Sequence, residues 1–155
     1  MSCKDIAEHP EKVGENIVII GGGLTGVETG LSYAEEGKKV TVVEMAETIA
    51  AGANHMTRPT IMETIERLSD KISYMTETKV CEVTDKGVKV SRGGEESFLE
   101  ADTVIYSVGL SPNLKAVEDL ERCDVSFFRA VGDCSGVAAM RRAIWSGYHA
   151  AMDIL

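Results

Sequence analysis

Residues 16–30 read NIVIIGGGLTGVETG. Residues 17–20 form a short, fully apolar run, the pattern of a strand buried on both faces. Gly21, Gly22 and Gly23 follow at once, and Gly26 comes three residues later. A helical pattern then places Leu24, Val27, Leu31 and Ala34 on one face. The order is strand, glycine turn, helix, and Gly21, Gly23 and Gly26 fill a G-x-G-x-x-G pattern.

Each glycine has a physical task in such a turn. Gly21 takes the sharp bend off the strand. Gly23 lets a pyrophosphate approach the main chain, and Gly26 lets the helix sit against its own strand. The amides around Leu24 and Thr25, at the positive end of the helix dipole, are then placed to bind phosphate. Gly30 continues the small face of the helix. Residues 40–43 read as a second buried strand ending in Glu44, about twenty residues after the first glycine. A carboxylate there accepts hydrogen bonds from the ribose hydroxyls of an adenosine. The alternative is a βαβ unit with a plain glycine-rich turn and a solvated Glu44.

The remaining pattern extends the unit. Residues 1–15 are polar and read as a lead-in, residues 45–60 as a loop, 60–69 as a helix and 72–75 as a third strand. Three short runs of strand type, 80–83, 88–90 and 97–99, are separated by Asp85-Lys86-Gly87 and Gly93-Gly94, both hairpin signals. They predict an antiparallel meander inserted as a crossover. Residues 103–108 then return to the parallel sheet beside the first strand. The expected fold is α/β and Rossmann-like, in three layers, with parallel order 3-2-1-4. Residues 16–110 form the nucleotide domain, 111–126 a charged linker, and 127–155 a strand at 127–131 with a helix from 137 onward.

Composition narrows the partners. The chain of 155 residues is of one-domain size, and its 44% hydrophobic and 26% charged content is that of a globular protein. A net charge of −9 argues against nucleic acid and anionic membranes, which need a basic face. No apolar run approaches membrane-spanning length, and residues 1–16 lack the apolar centre of a signal peptide. Cys3, Cys81, Cys123 and Cys134 have no C-x-x-C spacing, which fits a reduced, cytoplasmic protein without a redox disulfide or a metal site. His55 reads as a surface residue in a loop, the methionines as core filling, and Arg141-Arg142 as a solvated face.

Four segments, GGGLTGVETG (21–30), TVVEM (41–45), ADTVIYSVGLSPN (101–113) and AVGDCSGVAAMRRAIWSGYHAA (130–151), resemble the pyridine-nucleotide domain of the two-dinucleotide flavoprotein reductases. The likeness is greatest to the C-terminal part of NADH:flavin oxidoreductases of the 2-enoate reductase and 2,4-dienoyl-CoA reductase type, and it spans residues 16–155. It implies that Gly21, Gly22, Gly23, Leu24, Thr25 and Gly26 hold the pyrophosphate of NAD(H) and Glu44 the adenine ribose. It places Glu28, Val108 and Gly109 near the nicotinamide, and Gly132 and Asp133 on FAD. The resemblance supplies no catalytic side chain.

The family also carries a second glycine fingerprint for FAD, upstream, and a TIM-barrel domain. This chain has one fingerprint. The expectation is therefore an NAD module with the last strand and helix of a flavin domain, excised from a larger protein whose flavin and TIM-barrel domains are its partners. The apolar surface of residues 127–155 is then expected to fold back or to pair two copies as a homodimer. Two other readings stay open: a non-catalytic NAD-binding or sensing module, and an S-adenosylmethionine-dependent methyltransferase. Glu44, followed by Met45, Ala46 and Glu47 with no cation, favours NAD over NADP.

Overall fold

The computed structural model describes residues 1–154. The chain divides into two compact units, Met1–Gly109 and Leu110–Leu155. In the first, β1 (Asn16–Ile20), β2 (Lys39–Val43), β3 (Ile72–Met75) and β7 (Thr103–Tyr106) make a parallel sheet in the order β3-β2-β1-β7. This is the expected 3-2-1-4 order, with β7 as the fourth parallel strand. β1 is flanked on both edges, Ile17 pairing with Val40 on one side and with Thr103 on the other.

Alternation along β1 builds two cores. Ile17 and Ile19 face α2 (Leu24–Glu35) and α3 (Thr57–Arg67), packing with Val27, Leu31, Ala34, Ile61 and Ile65. Val18 faces the other way, into Val43, Val88, Val90 and Ala101. Val88 and Val90 belong to the antiparallel meander β4 (Thr78–Thr84), β5 (Gly87–Arg92) and β6 (Glu95–Glu100). Helices, parallel sheet and meander are thus three layers, the Rossmann-like arrangement with strands covering one face. Full burial of a Val or Ile side chain is worth about 1.5–3 kcal/mol, so both cores contribute substantially. The β5–β6 turn is a tight one, with Gly93 and Gly94 at φ 59° and 89° between the paired Arg92 and Glu95.

The structure corrects several boundaries. Residues 1–15, read as a polar lead-in, hold secondary structure of their own. Ser2 caps a helix, α1 (Cys3–Glu8), in a reciprocal capping box with Asp5. Ser2 also bridges Tyr106 in parallel, beside β7. Ile6 and Val13 are buried. The Asp102 carboxylate accepts the Glu15 and Asn16 amides, each at 3.0 Å, and Lys38 Nζ donates to the Val13 carbonyl at 2.7 Å. β7 stops at Tyr106, short of Val108, because the chain turns away once the Ser107 amide has reached the Ile20 carbonyl at 2.7 Å. α3 starts earlier than residue 60, because Asn54 Oδ1 accepts the amides of Met56 and Thr57, both at 2.9 Å.

In the second unit the expected linker holds a helix, α4 (Leu114–Glu121), whose N-terminus is capped by Asn113 Oδ1 accepting from the Ala116 amide at 3.2 Å. Residues 127–131 are not a strand. Phe127, Phe128 and Val131 give the stretch strand propensity, but a strand exists only with a neighbour to complete its ladder. α5 runs Met140–Met152, beginning three residues later than expected, after Gly136. Among the described residues no helix is long and apolar enough to cross a membrane.

Candidate functional site

The C-terminal ends of β1, β2 and β7 open onto a cavity of about 630 Å³. In an open parallel sheet this end, at the point where strand order reverses, is where ligands bind. Gly21 turns the chain off β1 with φ 105°, a region open to glycine and strained for other residues. Its missing side chain makes room for the Ser107 carbonyl, which presses directly on that position. Gly21, Gly23, Leu24 and Thr25 line the cavity, as do Glu44, Val108 and Gly109 from the ends of the neighbouring strands.

α2 begins at Leu24, and Gly23 at its N-cap supplies no side-chain cap. The first intrahelical bond runs from the Val27 amide to the Gly23 carbonyl at 3.0 Å. The amides of Leu24 and Thr25 therefore precede the helical ladder, at the positive end of the dipole. A Cβ added to Gly23 would meet no protein atom within 4 Å, so a side chain there would project into open space. Gly22 and Gly26 are buried under this surface instead. Gly26 gives its side-chain space to the Gly21 carbonyl oxygen.

Glu44, just past β2, is tied to the glycine turn. Its Oε2 accepts the Gly22 amide at 2.7 Å and its Oε1 accepts the Ala46 amide at 2.8 Å. Each oxygen keeps a further lone pair, so the carboxylate can still accept hydroxyl groups.

Glu28 stands apart. It is exposed one turn further along α2 and is not among the residues that line the cavity. Gly132 and Asp133 belong to the second unit, in a single 3-10 turn, Gly132–Cys134. There the Gly132 amide donates to Ser146 Oγ at 3.1 Å and Asp133 Oδ1 accepts the Ala138 amide at 3.3 Å.

Sequence reasoning missed several residues around the cavity. Thr78 is fully buried and lines it. Its hydroxyl donates to the Thr76 carbonyl at 2.8 Å, and its amide donates to the Glu44 carbonyl at 2.9 Å. Ser107 lines it too. Ile49 and Ala50, in the loop after β2, are buried beneath the glycine turn, and the Ala50 amide donates to the Gly22 carbonyl at 2.7 Å. No motif marks Ile49, Ala50 or Thr78; Ser107 alone lies in a segment, residues 101–113, that the sequence singled out. Among the described residues no group of three His, Cys, Asp or Glu side chains is placed to hold a metal ion.

Comparison with known proteins places this architecture. The family model described as pyridine nucleotide-disulphide oxidoreductase matches residues 1–127. A cinnamate reductase of Clostridium sporogenes is 32% identical over 99% of this chain and 23% of its own length. A bilirubin reductase of Mediterraneibacter gnavus is 39% identical over 94% of this chain and 22% of its own. A solved complex of 2-naphthoyl-CoA reductase with 2-naphthoyl-CoA superposes with a TM-score of 0.85, at 30% identity, over 96% of this chain and 22% of that one. The chain thus spans less than a quarter of the length of these relatives. With the family model covering most of its residues and such relatives matching it nearly end to end, the chain belongs to the pyridine nucleotide-disulphide oxidoreductase family.

Proposed function

We propose that residues 16–110 are the NAD(H)-binding module of a flavin-dependent oxidoreductase of the enoate-reductase type, and that residues 127–155 are part of its FAD domain. The observation that carries this reading is the uncapped start of α2 at the cavity wall, with the Glu44 carboxylate beside it. A pyrophosphate fits this donor set. Gly23 leaves the main chain bare where it must approach, and the Leu24 and Thr25 amides point from the positive helix end.

In this reading Glu44 holds the adenine ribose through the lone pairs left free by Gly22 and Ala46. Its charge repels a 2′-phosphate, which favours NAD over NADP. Val108 and Gly109 form the wall toward the nicotinamide end. When bound, the nicotinamide supplies or accepts hydride in exchange with a flavin, and the protein contributes position and electrostatics. No side chain of the module acts as acid, base or nucleophile. Gly132 and Asp133 hold FAD in the intact enzyme, and the flavin and TIM-barrel domains are the module's partners there. The names of the relatives support a reductase of unsaturated compounds as the whole protein's activity.

Calorimetric titration with NADH, NADPH, FAD and S-adenosylmethionine tests the reading. NADH is expected to bind, and more tightly than NADPH. Heat from S-adenosylmethionine alone, or none from NADH, would overturn it. Diaphorase activity restored by added FAD would distinguish the redox module from a non-catalytic sensor.

A further inference from the structure

The glycine turn is held from outside by the loop that follows β2. Two successive peptide planes are fixed by two different partners. In the Gly21–Gly22 plane, the N–H of Gly22 donates to Glu44 Oε2 at 2.7 Å. All peptides of the described residues are trans, so the Gly21 carbonyl points the opposite way, into the space left by the absent side chain of Gly26. In the Gly22–Gly23 plane, the carbonyl of Gly22 accepts the Ala50 amide at 2.7 Å. The N–H of Gly23 belongs to that same plane and must point away from the loop.

Ala50 is itself unusual. It is fully buried and sits at φ 52°, in the left-handed region that non-glycine residues rarely adopt. A residue held there against its own preference reflects a surrounding structure that fixes it. That structure is visible. Ile49 is buried with its Cγ2 2.9 Å from where a Cβ of Gly22 would stand, and the Ala53 amide closes a turn onto the Ala50 carbonyl at 3.0 Å. Three glycines in a row would otherwise leave the Gly22–Gly23 peptide free to flip.

We infer that Ala50 is a positioning residue for the nucleotide site: its backbone N–H, by holding the Gly22 carbonyl, sets the Gly22–Gly23 peptide plane and aims the Gly23 N–H at the pyrophosphate. This rests on the nucleotide-binding reading above and adds to it a residue that touches no ligand. The effect is specific to the diphosphate. A ligand without phosphate does not depend on which way the Gly23 N–H points.

The test replaces Ala50 in the full chain by lactate, which keeps the methyl group but turns the Ile49–Ala50 amide into an ester without the N–H. Loss of one such bond is expected to raise the dissociation constants of NADH and ADP about tenfold. Adenosine, followed by NMR titration, is expected to change by less than about twofold, since its contacts exclude that bond. Ala50→Gly keeps the N–H and suits the positive φ, so it is expected to bind ADP like the unmodified chain. Equal weakening of adenosine and ADP, unchanged ADP binding by the ester, or a loss in Ala50→Gly as large as in the ester would each overturn the inference.

A measurement on the unmodified chain guards against an ester that does not fold. Scalar coupling across the hydrogen bond, from the Ala50 nitrogen to the Gly22 carbonyl carbon, is expected with and without ADP, and its disappearance on adding ADP would overturn the inference. If the unmodified chain binds neither NADH nor ADP, the nucleotide site itself fails and this inference with it. If it binds both and the ester changes nothing, only the role of Ala50 fails.

Discussion

Gly26 shows how tightly the turn is built, since a methyl group there would run into the Gly21 carbonyl oxygen. Backbone, unlike the tip of a flexible side chain, cannot step aside cheaply. Gly26→Ala is therefore expected to destabilise the fold by about 1–3 kcal/mol, the usual cost of overpacking. It should be read as a lower urea midpoint at unchanged slope. Glu44 carries two duties in one side chain. Glu44→Arg removes the acceptor of the Gly22 and Ala46 amides, and with it the charge that the proposed function sets against the ribose. NADH binding is expected to weaken by about tenfold or more, the scale of a lost charged acceptor, with the preference moving toward NADPH. An unchanged NADH to NADPH ratio on titration would remove Glu44 from the ribose end. The glycine turn between β1 and α2 was legible because closely spaced glycines after an apolar run are what a sharp strand-to-helix bend requires. Ile49 and Ala50 were not, because their contribution is one backbone amide and one buried side chain, which leave no residue-type signature.

At the scale of elements, the segment before β1 is bolted to the start of β7. The Asp102 carboxylate takes the Glu15 and Asn16 amides, while the Gly14 amide donates to Thr103 Oγ1 at 2.9 Å. Partial desolvation pushes the Asp102 carboxyl upward, but the backbone bonds from Asn16 and Glu15, the Thr103 hydroxyl and the Lys38 charge together hold it below its ordinary value of 3.8. A carboxyl lowered in the folded state stabilises the fold above the unfolded pKa, and that contribution is lost as pH falls through the folded one. Asp102→Ala is expected to cost about 1 kcal/mol near neutral pH, discounted for its exposure. In urea titrations the gap between the two proteins should narrow below pH 3.8; a gap independent of pH would rule the carboxylate out. The long periodic elements, β1, α2 and the meander, were plain in the sequence because hydrophobic spacing decides them. α1 and α4 were hidden, since short helices with charged faces lean on caps from Ser2 and Asn113. Residues 127–131 misled in the other direction, because strand propensity says nothing of whether a neighbouring strand is there.

The two units differ in what holds them. The first has the paired cores around β1, whereas none of residues 110–154 is buried. On α5, Met140, Ile144, Trp145 and Tyr148 are all exposed. A region without buried apolar contacts opens at low free-energy cost. Amide hydrogen exchange is expected to be early in α4 and α5 and last in β1; protection in α5 equal to that in β1 would contradict this. The placement of β7 has a further consequence for synthesis. Ile17 pairs with Thr103, and everything from β2 to the end of the meander lies between them in the chain. A ribosome therefore releases β1 long before the strand that closes its second edge exists. During that interval the most apolar stretch of the protein presents an open row of main-chain donors and acceptors, a template for mispairing. The nascent chain is thus most vulnerable between the emergence of residue 20 and that of residue 106, and that is the window in which a chaperone has the most to protect.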